Sequence, residues 1–292
     1  YNTANGYSAL YSNTGYGNTA NGYSALLSNT TGGSNTANGA SALFFNTTGY
    51  ANTANGNRAL YSNTTGIENT AIGSSALRSN TSGSDNTAVG FSSSYSNISG
   101  SNNATFGSYS YYNGKGNRNS AFGHYSLVSP NGGTNTGSDN AGFGYQTGFS
   151  LTTGNKNIFL GNTAGFNIST SSNNIMLGWN AGSNYGSGSG TNTTGLNSVL
   201  IGYDVRPLAN ADDNEIVISG YNGTPGTTPG TIGWGSHSTT IGNTKTQKSR
   251  LYGALTVVPN IATGAGNSST IAAQNAGGTN TAGGALNLTA GN

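Results

Sequence analysis

The sequence predicts an all-β fold, specifically a β-solenoid of short stacked rungs, and three observations predict it. First, a quintet Asn-Thr-Ala-x-Gly recurs along the chain, with its glycine at Gly6, Gly22, Gly39, Gly56, Gly73, Gly90, Gly107, Gly123, Gly144, Gly161, Gly178 and Gly202. Second, the intervals between these glycines are 16, 17, 17, 17, 17, 17, 16, 21, 17, 17 and 24 residues. A short period held over so many copies marks units that stack on their neighbours. Third, the period is too short for a helix pair, which takes more than about 30 residues. Gly, Asn, Thr and Ser are also poor helix formers.

Within each period the quintet reads as a first strand. Asn5-Gly6 alone would signal a hairpin turn, but four near-copies of it in succession fit stacked rungs better. The Ser-Ala-Leu segment that follows (Ser8-Ala9-Leu10, Ser75-Ala76-Leu77) reads as a second strand, and Ser-Asn-Thr-Thr-Gly, as at residues 62–66, reads as the return turn. Glycine there supplies positive φ, and Asn and Thr satisfy nearby backbone groups. The two longest intervals place their extra residues in this turn, at 129–139 and 183–195. Insertions confined to one corner are what a solenoid tolerates, and such corners are candidate contact loops.

The quintet drifts. Its fourth position is Asn5, Asn21, Asn38 and Asn55, then Ile72, Val89, Phe106, Phe122, Phe143, Leu160, Leu177 and Ile201. Its second position is Thr early and Ile158, Ile175 and Val199 late. Positions two and four of a strand share a face, so one face changes from polar to apolar along the rod. The four asparagines are expected to stack as a ladder. A coil of about 17 residues encloses few side chains, too little core to offset its ordering entropy. Association is therefore expected, most simply as a parallel homotrimer. Twelve rungs at about 4.8 Å each give a rod of roughly 60 Å.

Composition narrows the function classes. Nine basic and seven acidic residues give a net charge of +2, with no basic stripe for nucleic acid. Leu, Ile, Val and Phe make up about 16% of the chain, a low share, but the high net charge of a disordered chain is missing. There is no cysteine, which excludes disulfides, thiolate metal sites and a cysteine nucleophile. No apolar run approaches the ~18 residues of a membrane span, so no membrane insertion is expected of these residues. The chain reads as a piece of a longer protein: a repeat shaft or head over 1–203, a transition region with irregular rungs over 204–253, and a β-rich fibre segment over 254–292.

The quintets resemble the head repeats of trimeric autotransporter adhesins, whose pattern is Ser-Val-Ala-Ile-Gly. Ser198-Val199-Leu200-Ile201-Gly202 and Asn86-Thr87-Ala88-Val89-Gly90 carry the likeness. The longer pattern NTAxGxxALxSNTTG is similar to repeats of phage tail fibres and of fibre-like surface proteins of Bacteroidetes-type bacteria. The stretches 214–220, 239–257 and 283–292 look like the segments between such repeats and a fibre's assembly domain. The resemblance spans nearly the whole chain. It implies a left-handed parallel β-roll, three chains around an axis, and an extracellular location on a virion tail or bacterial surface. The period is longer than the adhesin heads commonly have, and the early rungs carry Asn where that family has Ile.

Candidate sites are few. Asp204, Asp212, Asp213 and Glu215 cluster with Arg206 and are weak candidates for a Ca²⁺ site; ion pairs in a junction loop are the commoner outcome. Glu68 and Asp85 lie one period apart but at a turn corner, a poor place for the carboxylate pair of glycoside chemistry. His124 and His237 sit in no metal or triad motif. The sequons at Asn29, Asn46, Asn63 and Asn80 coincide with the return turn, which explains them without glycans. Tyr109, Tyr111 and Tyr112 form a dense aromatic run that could stack on sugars or on one another. The expected function is a structural fibre that attaches to a host or surface, with no catalysis and no cofactor, and with a homotrimer and a cell-surface glycan or other receptor as partners. The alternative is a self-assembling filament or sheath; an ice-binding solenoid and a carbohydrate-active β-helix are minor alternatives.

Overall fold

The structure, a computed structural model, describes residues 1–130, 133–183, 196–206, 214–218 and 239–241. It is a parallel β-solenoid with no helix among the described residues. Fourteen three-residue strands, from β1 (Thr3–Asn5) through β4 (Thr53–Asn55), β5 (Thr70–Ile72), β10 (Ile158–Leu160), β11 (Ile175–Leu177), β12 (Val199–Ile201) and β13 (Ile216–Ile218) to β14 (Thr239–Ile241), form one sheet in chain order. Register is strict: Ala54 pairs with Ala37 and Ala71, and Leu177 pairs with Ile201 across the longest insertion. The described residues lie within one compact unit, Tyr1–Gln247. β13 and β14 fall in the stretch expected to hold irregular rungs, and they continue the same sheet. The expected fibre segment over 254–292 lies outside the described residues.

Each of the first twelve strands is followed by the quintet glycine. Gly56 has φ of 144°, and a Cβ there would meet the carbonyl oxygen of Gly73 on the next rung at 2.5 Å. Only glycine allows rungs to close up at this corner, which is why the residue is repeated in every period.

The Ser-Ala-Leu segment is not the second strand that the sequence suggests. Ser75 (φ 60°) and Leu77 (φ 49°) both adopt left-handed backbone, and the same alternation recurs in Ser41 and Leu43 and in Arg58 and Leu60. The segment is a tight bend, and its backbone still bonds from rung to rung: Leu60 N–H donates to Ala76 at 3.0 Å, and Ser62 N–H to Arg78 at 3.0 Å. A leucine in this conformation costs about 1–2 kcal/mol. Leu43, Leu60 and Leu77 are fully buried, which returns about 1.5–3 kcal/mol each.

The interior is filled in two ways. In the early rungs the middle strand residue is alanine, and the bend supplies alanine and leucine, as with Ala54, Ala59 and Leu60, all fully buried. In β10 and β11 the middle residue is Phe159 or Met176, and the leucine position holds Gly165 or Gly182. A Cβ at Gly165 would overlap the Phe159 ring, and one at Gly182 the Met176 sulfur. The large side chain has moved from one wall of the coil to the other, leaving the filled volume about the same.

Candidate interaction surfaces

The strand's middle residue points into the coil, so positions two and four of the quintet point out. Ala54 is buried, whereas Thr53 and Asn55 flank it on the outer face. The expected ladder of Asn5, Asn21, Asn38 and Asn55 therefore lies on the outside of the sheet, where one amide bond, Asn21 Nδ2 to Asn38 Oδ1 at 2.8 Å, joins two of its rungs. Further along, the same column carries Ile72, Val89, Phe106, Phe122, Phe143, Leu160, Leu177, Ile201 and Ile218. Ile72 is 42% exposed, Ile158 43%, Leu160 46% and Ile218 40%. Phe106, Phe122 and Phe143 stack in file at 4.7 and 5.0 Å. The outer face thus holds a continuous aliphatic and aromatic strip beginning at β5.

The asparagines that do build the coil are two other columns, which sequence reasoning missed. One is quintet position one: Asn18, Asn35, Asn52, Asn69, Asn86, Asn103, Asn119, Asn140, Asn157 and Asn174 are all buried. Asn69 is typical. Its Oδ1 accepts the Asn86 backbone N–H at 3.1 Å and the Asn86 amide at 3.0 Å, while its own Nδ2 donates to Asn52 Oδ1 at 3.1 Å and to the Gly83 carbonyl at 2.9 Å. The other column is the return turn, where Asn29, Asn46, Asn63, Asn80 and Asn97 are fully buried and chained by amide bonds, as from Asn63 to Asn46 at 2.8 Å. Four of these are the sequon asparagines, so their amides face the interior and are engaged. The signal available in the sequence was that quintet position one holds Asn in rung after rung as far as Asn174, and the return turn does so as far as Asn97 before Gly114, Leu151 and Ile168 replace it, while the outer column changes already at Ile72.

Tyr111 is a correction: it was expected among surface aromatics but is fully buried. It stands at the leucine position, and its ring fills the space where the return turn elsewhere has Asn; Gly114 replaces that Asn, since a Cβ there would overlap the ring. The Tyr111 hydroxyl takes over the amide's work. It accepts from Gly116 N–H at 2.8 Å and from Asn119 Nδ2 at 2.7 Å, and it donates to Gly137 O at 3.4 Å. Burial raises its pKa far above the tyrosine range, against the opposing pull of the hydrogen bonds from Gly116 and Asn119.

Tyr109 and Tyr112 are half-buried at the bend and line a groove of about 370 Å³ together with Asn113, Tyr125, Val128, Ser129, Pro130 and Phe149. Burial raises the Tyr112 pKa, with Tyr95 and Tyr109 adding to the effect and Arg78 opposing it. His124 sits beside this wall, stacked on Tyr145 at 5.8 Å. The inserted corner at 183–195 lies, after Ser183, outside the described residues, as do His237, Asp212 and Asp213.

Of the acidic candidates, Asp204 is buried and paired with Arg206 at 2.9 Å. Glu215 is buried where the asparagine column ends, its N–H donating to Ser198 Oγ at 3.3 Å. No group of three His, Cys, Asp or Glu residues is placed to hold a metal among the described residues. Glu68 and Asp85 are exposed at a corner, in the column that continues to Arg118 and Asp139. Arg118 and Asp139 are paired there at 2.6 Å, which raises the arginine pKa and lowers the carboxylate's. Among the described residues no helix is long and apolar enough to cross a membrane. No protein-family model matches the chain, and no curated protein is significantly similar to it.

Proposed function

We propose that the chain is the repetitive shaft or head of an extracellular attachment fibre, assembled as a parallel homotrimer and acting by contact rather than catalysis, on a virion tail or a bacterial surface. The observation that carries the reading is the outer strip from Ile72 to Ile218. It runs unbroken along one side of a thin rod, in register with the sheet, with its side chains half-exposed. A contiguous apolar surface of that length marks an interaction face. An axial strip that repeats with the rungs suits partners that carry the same repeat, and cyclic symmetry places identical strips against one another. The buried asparagine columns tie each rung to the next along the rod. The resemblance to adhesin-head and tail-fibre repeats supports the extracellular setting.

Solution mass tests the reading. Sedimentation equilibrium is expected to give three times the 29.2 kDa chain mass, and Leu160→Lys with Ile158→Asp is expected to release single chains. A wild-type monomer at micromolar concentration would remove the trimer from the proposal, and a mass that grows without limit would favour the end-stacking filament.

A further inference from the structure

We propose that the groove beside Val128 is a binding cradle for a neutral hexopyranose unit of a glycan. The inference deepens the attachment reading, and rests on it for its purpose, by naming the ligand class and the place. Its geometry comes from a gap in an aromatic stack. The residue five places after the quintet glycine forms a column along one corner: Tyr61, Arg78, Tyr95, Tyr112, Val128, Phe149 and Phe166. The column is stacked almost throughout. Arg78 lies 5.4 Å from the rings of both Tyr61 and Tyr95, Tyr95 stacks on Tyr112 at 5.0 Å, and Phe149 stacks on Phe166 at 4.9 Å. The stack breaks at one place, where Val128 stands between Tyr112 and Phe149. Two rung spacings, about 9–10 Å, separate those two rings along the axis. The Val128 side chain fills the inner part of that interval and is only 4% exposed, so the opening that a further ring would enter lies outward of it, between Tyr112 and Phe149.

The surroundings define the chemistry of the missing ring. Tyr109 and Tyr125 stack on each other at 5.1 Å alongside the gap. Tyr112 is inclined 60° to Tyr109, and Phe149 is inclined 87° to Tyr125, so the rings enclose a concavity and do not form a flat wall. The volume of about 370 Å³ falls in the range of small-molecule sites, about 300–1,000 Å³. Among the described residues no Asp, Glu, Lys or Arg lines the groove, which suits an uncharged ligand. Polar groups stand at its edge. Asn113 Nδ2 is held by the Ser129 carbonyl at 2.7 Å, and its Oδ1 carries a long bond of 3.4 Å from Ser96. A pyranose offers a C–H face to aromatic rings and a rim of hydroxyls to amides and phenols, the combination assembled here. Proline-rich peptides also use aromatic grooves, but they dock as long ridges, whereas this gap is one ring deep.

The test uses the full chain and a panel of neutral tetrasaccharides in gluco, galacto and manno configuration, read by saturation-transfer NMR and calorimetry. At least one is expected to bind, with signals from the pyranose C–H face. Tyr112→Ala and Phe149→Ala should weaken it at least tenfold. Val128→Phe restores the ring that the neighbouring rungs carry, and it should abolish binding while the circular dichroism spectrum keeps its wild-type shape; because Val128 is buried, the melting temperature is expected to fall by a few degrees only. If no sugar binds, if Val128→Phe binds as well as wild type, or if a proline-rich decapeptide binds in place of the sugars, the cradle is refuted. The two readings fail separately. A trimer that adheres to cells equally with or without Val128→Phe keeps the fibre and loses the cradle; sugar binding by a monomeric chain keeps the cradle and loses the fibre.

Discussion

Asn69→Ala against Asn55→Ala separates the asparagines that hold the coil from those that decorate it. Both residues belong to the same stretch of the rod and both are one amide in size, but Asn69 is fully buried and Asn55 is exposed. Truncating Asn69 leaves the Asn86 backbone N–H with no acceptor and takes one bond each from the Asn86 amide, Asn52 Oδ1 and the Gly83 carbonyl. Asn86 Nδ2 keeps the Gly100 carbonyl, Asn52 Oδ1 keeps the Asn69 backbone N–H, and Gly83 O keeps the Asn80 amide. One wholly orphaned donor costs about 1–3 kcal/mol, and each bond removed from a group that keeps another costs about 0.5–1.5 kcal/mol. The expected loss is about 2.5–7.5 kcal/mol, concentrated at the rungs around β4 and β5. Asn55→Ala removes no side-chain hydrogen bond and should stay within about 0.5 kcal/mol. Because each rung contacts only its neighbours, the loss should appear as local opening before global unfolding. Hydrogen exchange by mass spectrometry is therefore the assay: protection should fall by several orders of magnitude at residues 52–90 in Asn69→Ala and stay unchanged in Asn55→Ala. Equal loss in the two variants would refute the inward and outward assignment.

Asn69→Asp sharpens the same point through pH. An aspartate keeps the two acceptor bonds but faces Asn52 Oδ1 and Gly83 O with oxygen, and burial disfavours its charge. Its folded pKa is then raised above the unfolded value, so the variant is most stable at low pH and loses stability as pH rises through the folded pKa; denaturant midpoints between pH 3 and 7 check the sign. Tyr111→Phe should cost about 1–3 kcal/mol, because the Gly116 N–H loses its acceptor, measured by chemical denaturation. Phe159→Ala should cost about 3–5 kcal/mol, and adding Gly165→Leu should recover much of it by rebuilding the alanine and leucine arrangement of the early rungs; a favourable coupling energy in the double-mutant cycle is the readout. Asp139 should titrate below the usual aspartate range, with its small contribution present above the unfolded pKa and lost as pH falls through the folded one, followed by carboxyl carbon shifts in wild type and Arg118→Gln.

The solenoid was legible because the period is covalent: twelve glycines at nearly fixed intervals admit few other architectures. Which way a strand faces was harder to read. Residues two and four were the informative ones because they vary, and variation toward Ile, Leu and Phe looks like a core. In a coil this narrow the core cannot vary in that way. Its middle position is alanine where a leucine fills the bend, and it takes Phe159 only where the bend falls to Gly165. In that exchange the gain at one wall is offset by the loss at the other, and no single column shows it. Tyr111 eluded the reading for the same reason. Adjacent to Tyr109 and Tyr112 it looks like one of a surface run, and only Gly114, three residues on, betrays that its ring goes inward.

Amide columns also explain how so polar a chain folds at all. Two alanines and a leucine per early rung bury little apolar surface, and the bend imposes a backbone penalty for each leucine. The remaining stabilisation has to come from groups that need no hydrophobic area. Asparagine meets that need because its side chain both donates and accepts, so each copy satisfies the rung before and the rung after it. Such a column is self-consistent only at full length, since every truncation leaves an unpaired amide at a new end. The interior is thereby committed to stacking along the axis, and the sideways surface is left free to change. It does change, from Thr and Asn in the first four rungs to Ile, Val, Phe and Leu beyond β5, without a shift in register. The interior changes too, but there the Phe159 ring is met by Gly165 across the rung and the Tyr111 ring by Gly114, whereas Ile72, Leu160 and Ile218 stand half-exposed on the outer face. Apolar side chains left half-exposed in one file are the feature on which the proposed partner along the rod rests.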